Sequence, residues 1–353
     1  MTLGHNAAEN LDGESLLDGW RVVSRVPDRP GSTGGNFSVC YFVEHVDGRR
    51  GFCKVLNIAA ALSSEDAIKA VQQLTTAHNF ERDLHDMCGR DGLSRIVVSI
   101  GHGAFVRDGF AIGNVAYLIF EIADGDVRKV LDSNAGGSLS EKLDWLHDAA
   151  VGLQQLHSRG VAHQDLKPSN VLVFSNFDDG MTRGKVGDLG RATDPRHPMW
   201  HDDLAIAGDP AYAPPEQLYR ATPIEFGPRR FGCDLYQLGG MITFLITGGT
   251  FNAWLANELH PAHMPGNWTD SYDAVRPYVQ DAAGRVVLRV ERSIPDEAIA
   301  TRVARLVEGL CQPDSSLRGN AKDVAAGRQF DLARTVTELD LLSKRARLAA
   351  ARR

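Results

Sequence analysis

The sequence predicts an α+β protein of two lobes, a small β-rich lobe with one helix followed by a larger, mainly helical lobe. Short runs of β-branched and aromatic residues between turn signals occupy residues 20 to about 120. After Ala123 the hydrophobic pattern becomes helical. The chain has 353 residues, of which 43% are hydrophobic and 24% charged, so it is long enough to bury a substantial core.

Within the small lobe, four segments have the composition of strands. They are Phe37–Val46, Arg50–Leu56, Arg95–His102 and Val115–Phe120. The first two are joined by the turn signal Asp47-Gly48. Ser63 and Ser64, followed by two acids, predict the capped start of a helix that runs to about Cys88.

In the large lobe, three segments have helical spacing. They are Ser140–Ser158, Cys233–Thr247 and Asp296–Cys311. Residues 330–353 have leucines at helical intervals and end in basic residues, which predicts a terminal helix packed on this lobe. The polar segment 250–290 contains His260, His263 and Trp268 at a spacing that fits no zinc-ligand pattern, and it could form a surface for a substrate or partner.

Charge and composition exclude several classes of function. The net charge is −7, which gives no electrostatic case for nucleic acid or an anionic membrane as the main partner. The first ten residues contain no signal segment, and no run approaches the roughly 20 apolar residues of a membrane helix. We therefore expect a cytoplasmic protein without a membrane partner. Five cysteines, far apart and without a C-x-x-C pair, are expected to be reduced and buried.

The most specific motif is H-Q-D-L-K-P-S-N at residues 163–170, followed eighteen residues after its asparagine by D-L-G at residues 188–190. It combines the carboxylates of Asp165 and Asp188 with the amine of Lys167 and the amide of Asn170. Side chains of these types at this spacing make a site for moving a phosphoryl group with magnesium.

The motif resembles the catalytic loop H-R-D-x-K-x-x-N and the metal-binding motif D-F-G of eukaryotic-type Ser/Thr protein kinases. Gln164 stands in place of the arginine, as in the non-RD type, and Leu189 in place of the phenylalanine. The resemblance covers about residues 20–320 and implies the bilobal kinase fold, and the composition suggests a bacterial member. It divides the chain into an N-terminal extension (1–19), a kinase N-lobe (20–121), a C-lobe (122–322) and a helical tail (323–353).

The resemblance implies an enzyme that uses ATP and Mg²⁺ and transfers the γ-phosphoryl group to a hydroxyl of a protein substrate. Asp165 would orient the substrate hydroxyl and accept its proton, and Lys167 would neutralise charge on the transferred group. Asn170 and Asp188 offer the hard oxygen ligands that suit Mg²⁺. A lysine two residues after the aspartate is typical of Ser/Thr kinases.

Residues 31–39, G-S-T-G-G-N-F-S-V, lie where a kinase has its glycine-rich loop, G-x-G-x-x-G-x-V. Counting back from Val39, only Gly34 coincides with a motif glycine. The neighbouring Gly35 adds flexibility that lets backbone N–H groups approach phosphate oxygens. Alone, the segment fits a plain hairpin; with the downstream motifs, the resemblance implies that Gly34, Gly35 and Val39 line the nucleotide.

Lys54 lies in an apolar strand, where burying an ammonium group without a partner is costly. By resemblance it holds the α- and β-phosphates of ATP and pairs with a helix glutamate. Glu81 and Asp83 compete for this role. A helix packed on the lobe carries apolar residues three and seven positions after its inward acid, and Glu81 satisfies this with Leu84 and Cys88. We therefore expect Glu81.

Residues 115–126, V-A-Y-L-I-F-E-I-A-D-G-D, resemble the last small-lobe strand and the hinge of a kinase. By register, the Glu121 carbonyl and the Ala123 N–H would face the adenine edge, with Phe120 behind the base.

Residues 208–216, G-D-P-A-Y-A-P-P-E, resemble the motif G-T-x-x-Y-x-A-P-E, which shapes the peptide-binding platform. Asp234 matches the helix aspartate that holds the catalytic loop, and Arg318 matches the arginine that pairs with the motif glutamate, here Glu216. Asp209 replaces the motif threonine.

The departures from the family pattern concern regulation and mechanism. In kinases activated by loop phosphorylation, the arginine before the catalytic aspartate binds the phosphate, and Gln164 has no charge for this. From residue 190 to 214 the only hydroxyl residues are Thr193 and Tyr212. We therefore expect activity without activation-loop phosphorylation. Asp202 and Asp203 could stand in for a phosphate, but a solvated acidic turn is favoured.

Two alternatives to an active protein kinase stay open. The carboxylate of Asp209 could bind Lys167 but would also repel Asp165. Together with Gln164 and the incomplete glycine-loop motif, Asp209 allows a pseudokinase that acts as a scaffold. A small-molecule phosphotransferase on the same fold is the second alternative. The sequence assigns no oligomeric state. Retention of Lys54, Asp165, Asn170 and Asp188 argues against the pseudokinase. The Lys167 pattern and the peptide platform at residues 212–216 argue against the small-molecule phosphotransferase.

Overall fold

A computed structural model of the chain describes residues 4–27, 38–132, 136–175 and 181–352. The chain divides into two compact units. The first contains Met1–Leu93 and Val97–Ala123, and the second contains Ser94–Ile96 and Asp124–Arg353. The first unit is built around β-sheet and the second mainly from helices, which confirms the predicted α+β fold class.

The first unit has seven described strands, five of which form its main sheet. The seven strands are β1 (Gly4–Asn6), β2 (Trp20–Arg25), β3 (Ser38–His45), β4 (Arg50–Leu56), β5 (Ser99–Val106), β6 (Phe110–Ile112) and β7 (Asn114–Glu121). Strands β2, β3, β4, β7 and β5 pair antiparallel in that order, and β1 pairs with β6 in parallel. The predicted strand at Arg95 begins only at Ser99, because Ile96 belongs to the second unit, where it bridges to Val186.

The core of the first unit lies on one face of this sheet. Tyr41 of β3 and Cys53 of β4 are register partners that share this face, and both are fully buried. The start of the chain packs here, since the Tyr41 hydroxyl donates to the Ala8 carbonyl at 2.7 Å and accepts the Leu11 N–H at 3.4 Å. Residues 4–19, which the family resemblance set apart as an extension, therefore contribute to this core.

Two helices follow β4, namely α1 (Ile58–Leu62) and α2 (Ala67–Arg90). Asp66 caps α2, because its side chain accepts the N–H three residues later at 3.0 Å. Ser63 and Ser64 instead donate to carbonyls of α1 and close that helix. The predicted cap at the two serines is wrong, since their hydroxyls are used by a short helix that the sequence pattern did not separate.

The second unit contains most of the helices. They are α3 (Val127–Asp132), α4 (Leu139–His157), α5 (Pro215–Leu218), α6 (Gly232–Thr247), α7 (Phe251–Glu258), α8 (Tyr272–Arg292), α9 (Glu297–Leu310), α10 (Ala321–Ala325) and α11 (Ala333–Ala351). The three predicted helices coincide with α4, α6 and α9 to within one residue at each end. Nearly all of α6 is buried, so this helix forms the centre of the unit.

A small sheet places the H-Q-D-L-K-P-S-N motif. Its strands are β8 (Gly125–Asp126), β9 (Val171–Phe174) and β10 (Arg183–Val186). The motif occupies the connection from α4 to β9, and the D-L-G motif follows β10. Because β9 and β10 are antiparallel, with Val171 opposite Val186, the start of one lies beside the end of the other. This topology brings Asn170 and Asp188 to the same end of the sheet.

Helix α11 packs on α4 and α9, which confirms the predicted terminal helix. Arg347 pairs with Asp144 of α4 at 2.6 Å, and Glu338 pairs with Arg302 of α9 at 2.6 Å. Arg347 and Glu338 of the tail are therefore both paired with other helices of the unit.

The histidines between α7 and α8 have packing roles. The His263 ring lies 3.9 Å from the Tyr278 ring and 5.6 Å from the Trp268 ring, measured between centroids. Within the described ranges, no group of three or more His, Cys, Asp or Glu side chains could hold a metal ion.

None of the five cysteines, all of which lie in the described ranges, forms a disulfide, and burial was predicted correctly for four of them. Cys40 is only half-buried, because it lies on the partly open face of β3.

Among the described helices, none is alone long and apolar enough to cross a membrane. The helix pair 227–247 and 251–258, bent by 82°, meets the length and composition requirements only jointly.

Candidate active site

The catalytic-loop backbone is held by polar side chains of the buried helix α6. Asp234 is fully buried, and its two carboxylate oxygens accept the N–H groups of His163 at 2.8 Å and Gln164 at 2.7 Å. Gln237, one turn later, accepts the Leu166 N–H at 2.8 Å and donates to the Gln164 carbonyl at 2.7 Å. These bonds stabilise Gln164 in a left-handed conformation with φ 67°, which is unfavourable for a side-chain-bearing residue.

Asp165 lies at the centre of the site and is 8% exposed. Its Oδ1 accepts the backbone N–H of Asp209 at 2.8 Å, and its Oδ2 accepts the Asn170 amide at 3.2 Å and lies 3.0 Å from Lys167 Nζ. Burial raises the pKa of Asp165, Lys167 lowers it, and the nearby charge of Asp188 raises it further, with a net upward direction. The carboxylate is thus both fixed in place and more basic than an ordinary aspartate.

Lys167 lies between two carboxylates. Its Nζ is 3.0 Å from Asp165 Oδ2 and 3.5 Å from Asp209 Oδ2. The other oxygen of Asp209 accepts the N–H of Ala211 at 2.9 Å and caps the short helix Pro210–Tyr212. Asp209 therefore contacts the cation with one oxygen and the backbone with the other, and its main chain stabilises the Asp165 carboxylate that its side chain was expected to repel.

Asn170 and Asp188 present oxygen atoms at one end of the small sheet. The Asn170 amide nitrogen donates to the Asp165 carbonyl at 2.8 Å, which directs the amide oxygen elsewhere. Asp188 is exposed and has left-handed backbone angles, φ 55° and ψ 68°. His163 contacts the residue before Asp188, because the Nε2 of His163 lies 3.1 Å from the Gly187 carbonyl oxygen. One amide and one carboxylate oxygen, completed by phosphate oxygens and water, fit the way Mg²⁺ is held with nucleotides.

Lys54 and Glu81 form an ion pair in the first unit. Lys54 Nζ lies 2.8 Å and 3.0 Å from the two carboxylate oxygens of Glu81, which is 5% exposed. Asp83 is exposed and pairs with Arg82 instead. The inward face of α2 around Glu81 is buried at Leu84, Cys88 and His85. The spacing of apolar residues on α2 therefore correctly identified Glu81, and not Asp83, as the partner of Lys54.

The strand register corrects the prediction for Val39. Val39 is the partner of Val55, whereas Cys40 is the partner of Lys54. Partners in an antiparallel pair share a face, so Val39 lies on the face opposite Lys54, 5% exposed in the core beneath the start of the chain. The prediction that Val39 lines the nucleotide is wrong by one residue, and Cys40 occupies the face of Lys54. Gly34 and Gly35 lie outside the described residues.

At the predicted hinge, Glu121 ends β7, and Ala123 is the last residue of the first unit. The Glu121 N–H donates to the Val98 carbonyl at 3.1 Å, and its side chain accepts the Val98 N–H at 2.8 Å. Phe120 is 8% exposed, and its ring meets the buried His85 ring edge-on at 4.8 Å. The assigned adenine contacts of Glu121 and Ala123 stay predictions.

The segment that begins at the D-L-G motif is anchored in the second unit. Leu189, in place of the family phenylalanine, is fully buried. The two hydroxyl residues of the segment 190–214, Thr193 and Tyr212, are each 1% exposed. The Thr193 hydroxyl donates to Asp202 at 2.8 Å. The favoured interpretation of Asp202 as part of a solvated turn is wrong, because its carboxylate also pairs with the buried Arg230 at 2.7 Å.

The platform segment is fixed by a second buried ion pair. Arg318 is fully buried, and its guanidinium donates to both carboxylate oxygens of Glu216 at 2.7 Å each. This confirms the pairing that the resemblance implied.

A family model described as the protein kinase domain matches residues 35–328. The chain belongs to the protein kinase domain family. This kinase domain is 30% identical over 224 residues to the serine/threonine-protein kinase Pkn1 of Myxococcus xanthus, covering 60% of this chain and 30% of that protein. It is 24% identical over 294 residues to the serine/threonine-protein kinase PLK4 of Drosophila melanogaster, covering 77% of this chain and 33% of that protein. The chain thus spans about a third of the length of these relatives.

Sequence reasoning missed two residues that the kinase domain uses to support its catalytic loop. Gln237 follows Asp234 by three residues on an otherwise apolar buried helix, so this spacing of two polar residues was the available signal. Arg230 had no comparable signal, because its partners are distant in sequence. One of them is Gln164, whose Oε1 accepts from Arg230 Nη1 at 2.9 Å.

Proposed function

We propose that this kinase domain uses ATP with Mg²⁺ and transfers the γ-phosphoryl group to serine or threonine hydroxyls of a protein substrate, without requiring phosphorylation of its activation loop. The observation that carries the proposal is the set of contacts around Asp165. Its carboxylate is buried, is held on both oxygens and lies 3.0 Å from Lys167 Nζ.

Asp165 is suited to act as the base of this reaction. A substrate hydroxyl that donates to its carboxylate is oriented for attack on the γ-phosphorus. The carboxylate accepts the proton as the new P–O bond forms and the bond from the γ-phosphorus to the bridging oxygen breaks, which releases ADP. Its raised pKa makes it a stronger proton acceptor than an exposed aspartate. Lys167, already held beside it, stabilises negative charge on the group in transfer.

The residues also fit the nucleotide and metal that the kinase family uses. The amide oxygen of Asn170 and the carboxylate of Asp188 would hold Mg²⁺, and Lys54, held by Glu81, would bind phosphate oxygens. When bound, Mg²⁺ neutralises phosphate charge and orients the triphosphate for in-line transfer.

Three observations support a protein hydroxyl as the acceptor. Lys167 follows Asp165 at the spacing typical of Ser/Thr kinases, and the relatives reported above carry serine/threonine-protein kinase in their names. The segment at residues 208–216 matches the family motif for the peptide-binding platform, and its Glu216 is held by Arg318.

Independence from loop phosphorylation is supported by the burial of both loop hydroxyl groups. Thr193 and Tyr212 are each 1% exposed, so neither presents a hydroxyl to a kinase in this conformation. Gln164, at the position of the phosphate-binding arginine, carries no charge.

The main test measures transfer from γ-labelled ATP with Mg²⁺ to casein, followed by phosphoamino-acid analysis. We expect phosphoserine and phosphothreonine, and a loss of about 10²-fold or more for Asp165→Asn. Asp203→Asn removes the same charge from an exposed position and is expected to keep wild-type activity. A protein that transfers no phosphate, or an Asp165→Asn variant as active as wild type, would contradict the proposal and favour a scaffold.

A second test separates the acceptor class and the role of the loop. The protein is treated with phosphatase, checked by mass spectrometry for unmodified Thr193 and Tyr212, and assayed on casein and on aminoglycosides and sugars. We expect full activity on casein only. Activity on the small molecules alone would indicate the phosphotransferase alternative, and loss of activity with loss of phosphate from Thr193 would refute loop independence.

A further inference from the structure

Asp202 is an acid of the activation segment whose contacts reach both into the segment and out of it. It lies in the short helix Trp200–Asp203. One carboxylate oxygen accepts the Thr193 hydroxyl at 2.8 Å and the Met199 N–H at 2.7 Å, and the other lies 2.7 Å from Arg230 Nη2. The first oxygen is therefore hydrogen-bonded within the segment, and the second is placed for ionic attraction to Arg230.

Arg230 connects this segment to the catalytic loop. It precedes α6 in the helical turn Gly227–Phe231 and is only 4% exposed. Its Nη2 also donates to the Asp202 carbonyl at 2.9 Å, while its Nη1 donates to Gln164 Oε1 at 2.9 Å. A guanidinium buried this deeply needs an anion, because an unpaired buried charge is strongly unfavourable. Asp202 is that anion.

Gln164 links Arg230 to the proposed catalytic base, Asp165. Its backbone groups are already bound by Asp234 and Gln237, so the side-chain oxygen is the part that reaches Arg230. Gln164 is the residue immediately before Asp165. The chain of contacts from Asp202 through Arg230 to Gln164 thus ends beside the catalytic carboxylate.

We propose that Asp202 is a resident anion that replaces an activation-loop phosphate: through Arg230 and Gln164 it holds the activation segment and positions Asp165. Asp202 and Arg230 are positioning residues, since neither belongs to the group that would contact substrate. The proposal rests on the proposed function, whose regulation it explains. Because the charge is encoded in the sequence, the segment is held permanently and needs no kinase upstream.

The geometry favours this interpretation over a simple surface ion pair. A surface pair joins two flexible, hydrated side chains and contributes little. Here the Asp202 side chain is 18% exposed and that of Arg230 4%, and the guanidinium contacts two separate loops. Such a bridge restricts both loops at once, which a phosphate bound by the family arginine would also do.

The first test compares Asp202→Asn with Asp203→Asn. Asp202→Asn keeps an oxygen for Thr193 but loses the charge that pairs with Arg230. We expect its kcat to fall about tenfold or more with less than about a twofold change in the KM for ATP, since Lys54 and Glu81 are untouched. Asp203→Asn, an exposed neighbour in the same short helix, is expected to match wild type. Equal effects of the two variants, or none, would overturn the proposal.

The second test asks for rescue, which a purely structural role would not give. Arg230→Met removes the bridging charge and is expected to lower kcat by a similar factor. Gln164→Arg, added to Arg230→Met, places a guanidinium on the catalytic loop and is expected to restore at least part of the lost kcat by pairing with Asp202. A double variant no more active than Arg230→Met alone would show that Asp202 does not act through the catalytic loop.

A third measurement keeps this proposal separable from the proposed function. Hydrogen–deuterium exchange of residues 189–214 is compared in wild type, Asp202→Asn and Asp203→Asn. Faster exchange in Asp202→Asn only is expected, and it would support the bridge even if wild type transferred no phosphate. Unchanged exchange in Asp202→Asn would overturn the bridge even if the wild-type protein were an active kinase.

Discussion

The backbone N–H of Asp209 donates a hydrogen bond to Oδ1 of Asp165 over 2.8 Å. The contact belongs to the main chain and therefore survives a change of side chain at position 209. The Asp209 carboxylate meanwhile contacts Lys167 and the Ala211 N–H. The cation between the two acids offsets their repulsion, which explains how this kinase domain accommodates an acid where the family has threonine.

Asp209→Thr is expected to keep substantial activity, within about tenfold of wild type. The threonine hydroxyl can still accept the Ala211 N–H as the aspartate does. The lost contact with Lys167, 3.5 Å long, is at the limit of a hydrogen bond. The measurement is kcat on casein, with folding checked by circular dichroism. Total loss of activity in a folded variant would mean that Asp209 has an active role in the chemistry.

Gly208→Ala is expected to abolish most activity while the protein stays folded. A Cβ at position 208 would lie 2.2 Å from the Gln164 carbonyl oxygen and 2.8 Å from Asp165 Oδ1, so the catalytic loop or the segment must move. A 1 Å displacement of a reacting group can cost about 10²-fold in rate, and we expect a loss of this order in kcat.

The matched control is Gly284→Ala, because a Cβ there meets nothing within 4 Å. Position 284 lies within α8, where alanine is favoured over glycine by about 0.5–1 kcal/mol. Activity should be unchanged and the melting temperature equal or higher. If Gly208→Ala were as active as this control, the close approach of the two loops would not be needed for catalysis.

The sequence predicted the fold class and the long helices because their signals are local. The apolar spacing of α4, α6 and α9 lies within each segment, and the spacing around Glu81 was enough to choose it over Asp83. The pairing register of strands β3 and β4 was harder to predict from the sequence. The glycine loop lacks a complete motif, so a one-residue error exchanged Val39 for Cys40 and reversed the face of the sheet.

Contacts that join distant parts of the chain could not be predicted. Arg230 meets Gln164 across 66 positions, and no periodicity connects them. Asp202 was misjudged because an acidic turn is usually solvated, and only the buried guanidinium shows otherwise. The Tyr41 hydroxyl binds the backbone of Ala8 and Leu11, and nothing in the sequence distinguishes Tyr41 from the other residues of its strand.

The acid limb of the pH–rate profile is expected to reflect the raised pKa of Asp165. Burial disfavours the ionised form, so the rate should fall as pH decreases through a pKa higher than that of an ordinary aspartate. By linkage, the ionised carboxylate costs folding stability above this pKa, and the cost disappears as the pH falls below it toward the unfolded pKa.

Lys167→Met tests the assignment, because Lys167 lowers the pKa of Asp165. The residual activity of this variant should have its acid limb at a higher pH than wild type at saturating ATP and Mg²⁺. Lys322→Met, which removes an exposed lysine, should leave the limb in place. An acid limb that does not move in Lys167→Met would assign it to a group other than Asp165.

The Glu216–Arg318 pair is expected to matter for stability. Both side chains are nearly or fully buried, and Arg318 also donates to the Gly232 carbonyl at 3.1 Å, tying the platform to the start of α6. Removing one partner leaves the other charge buried, which costs about 3–5 kcal/mol. Urea unfolding of Glu216→Met and of Arg318→Met should show losses of this size.

The double variant Glu216→Met/Arg318→Met distinguishes the net contribution of the ion pair from the cost of leaving one buried charge without its partner. It leaves neither charge unpaired, so it should be more stable than either single variant, even though the ion pair is absent. Lys344→Ala breaks the exposed pair with Asp340 and should cost less than about 1 kcal/mol. Losses in the double variant that equal the sum of the singles would mean that the two side chains stabilise the fold independently, through their other contacts and packing.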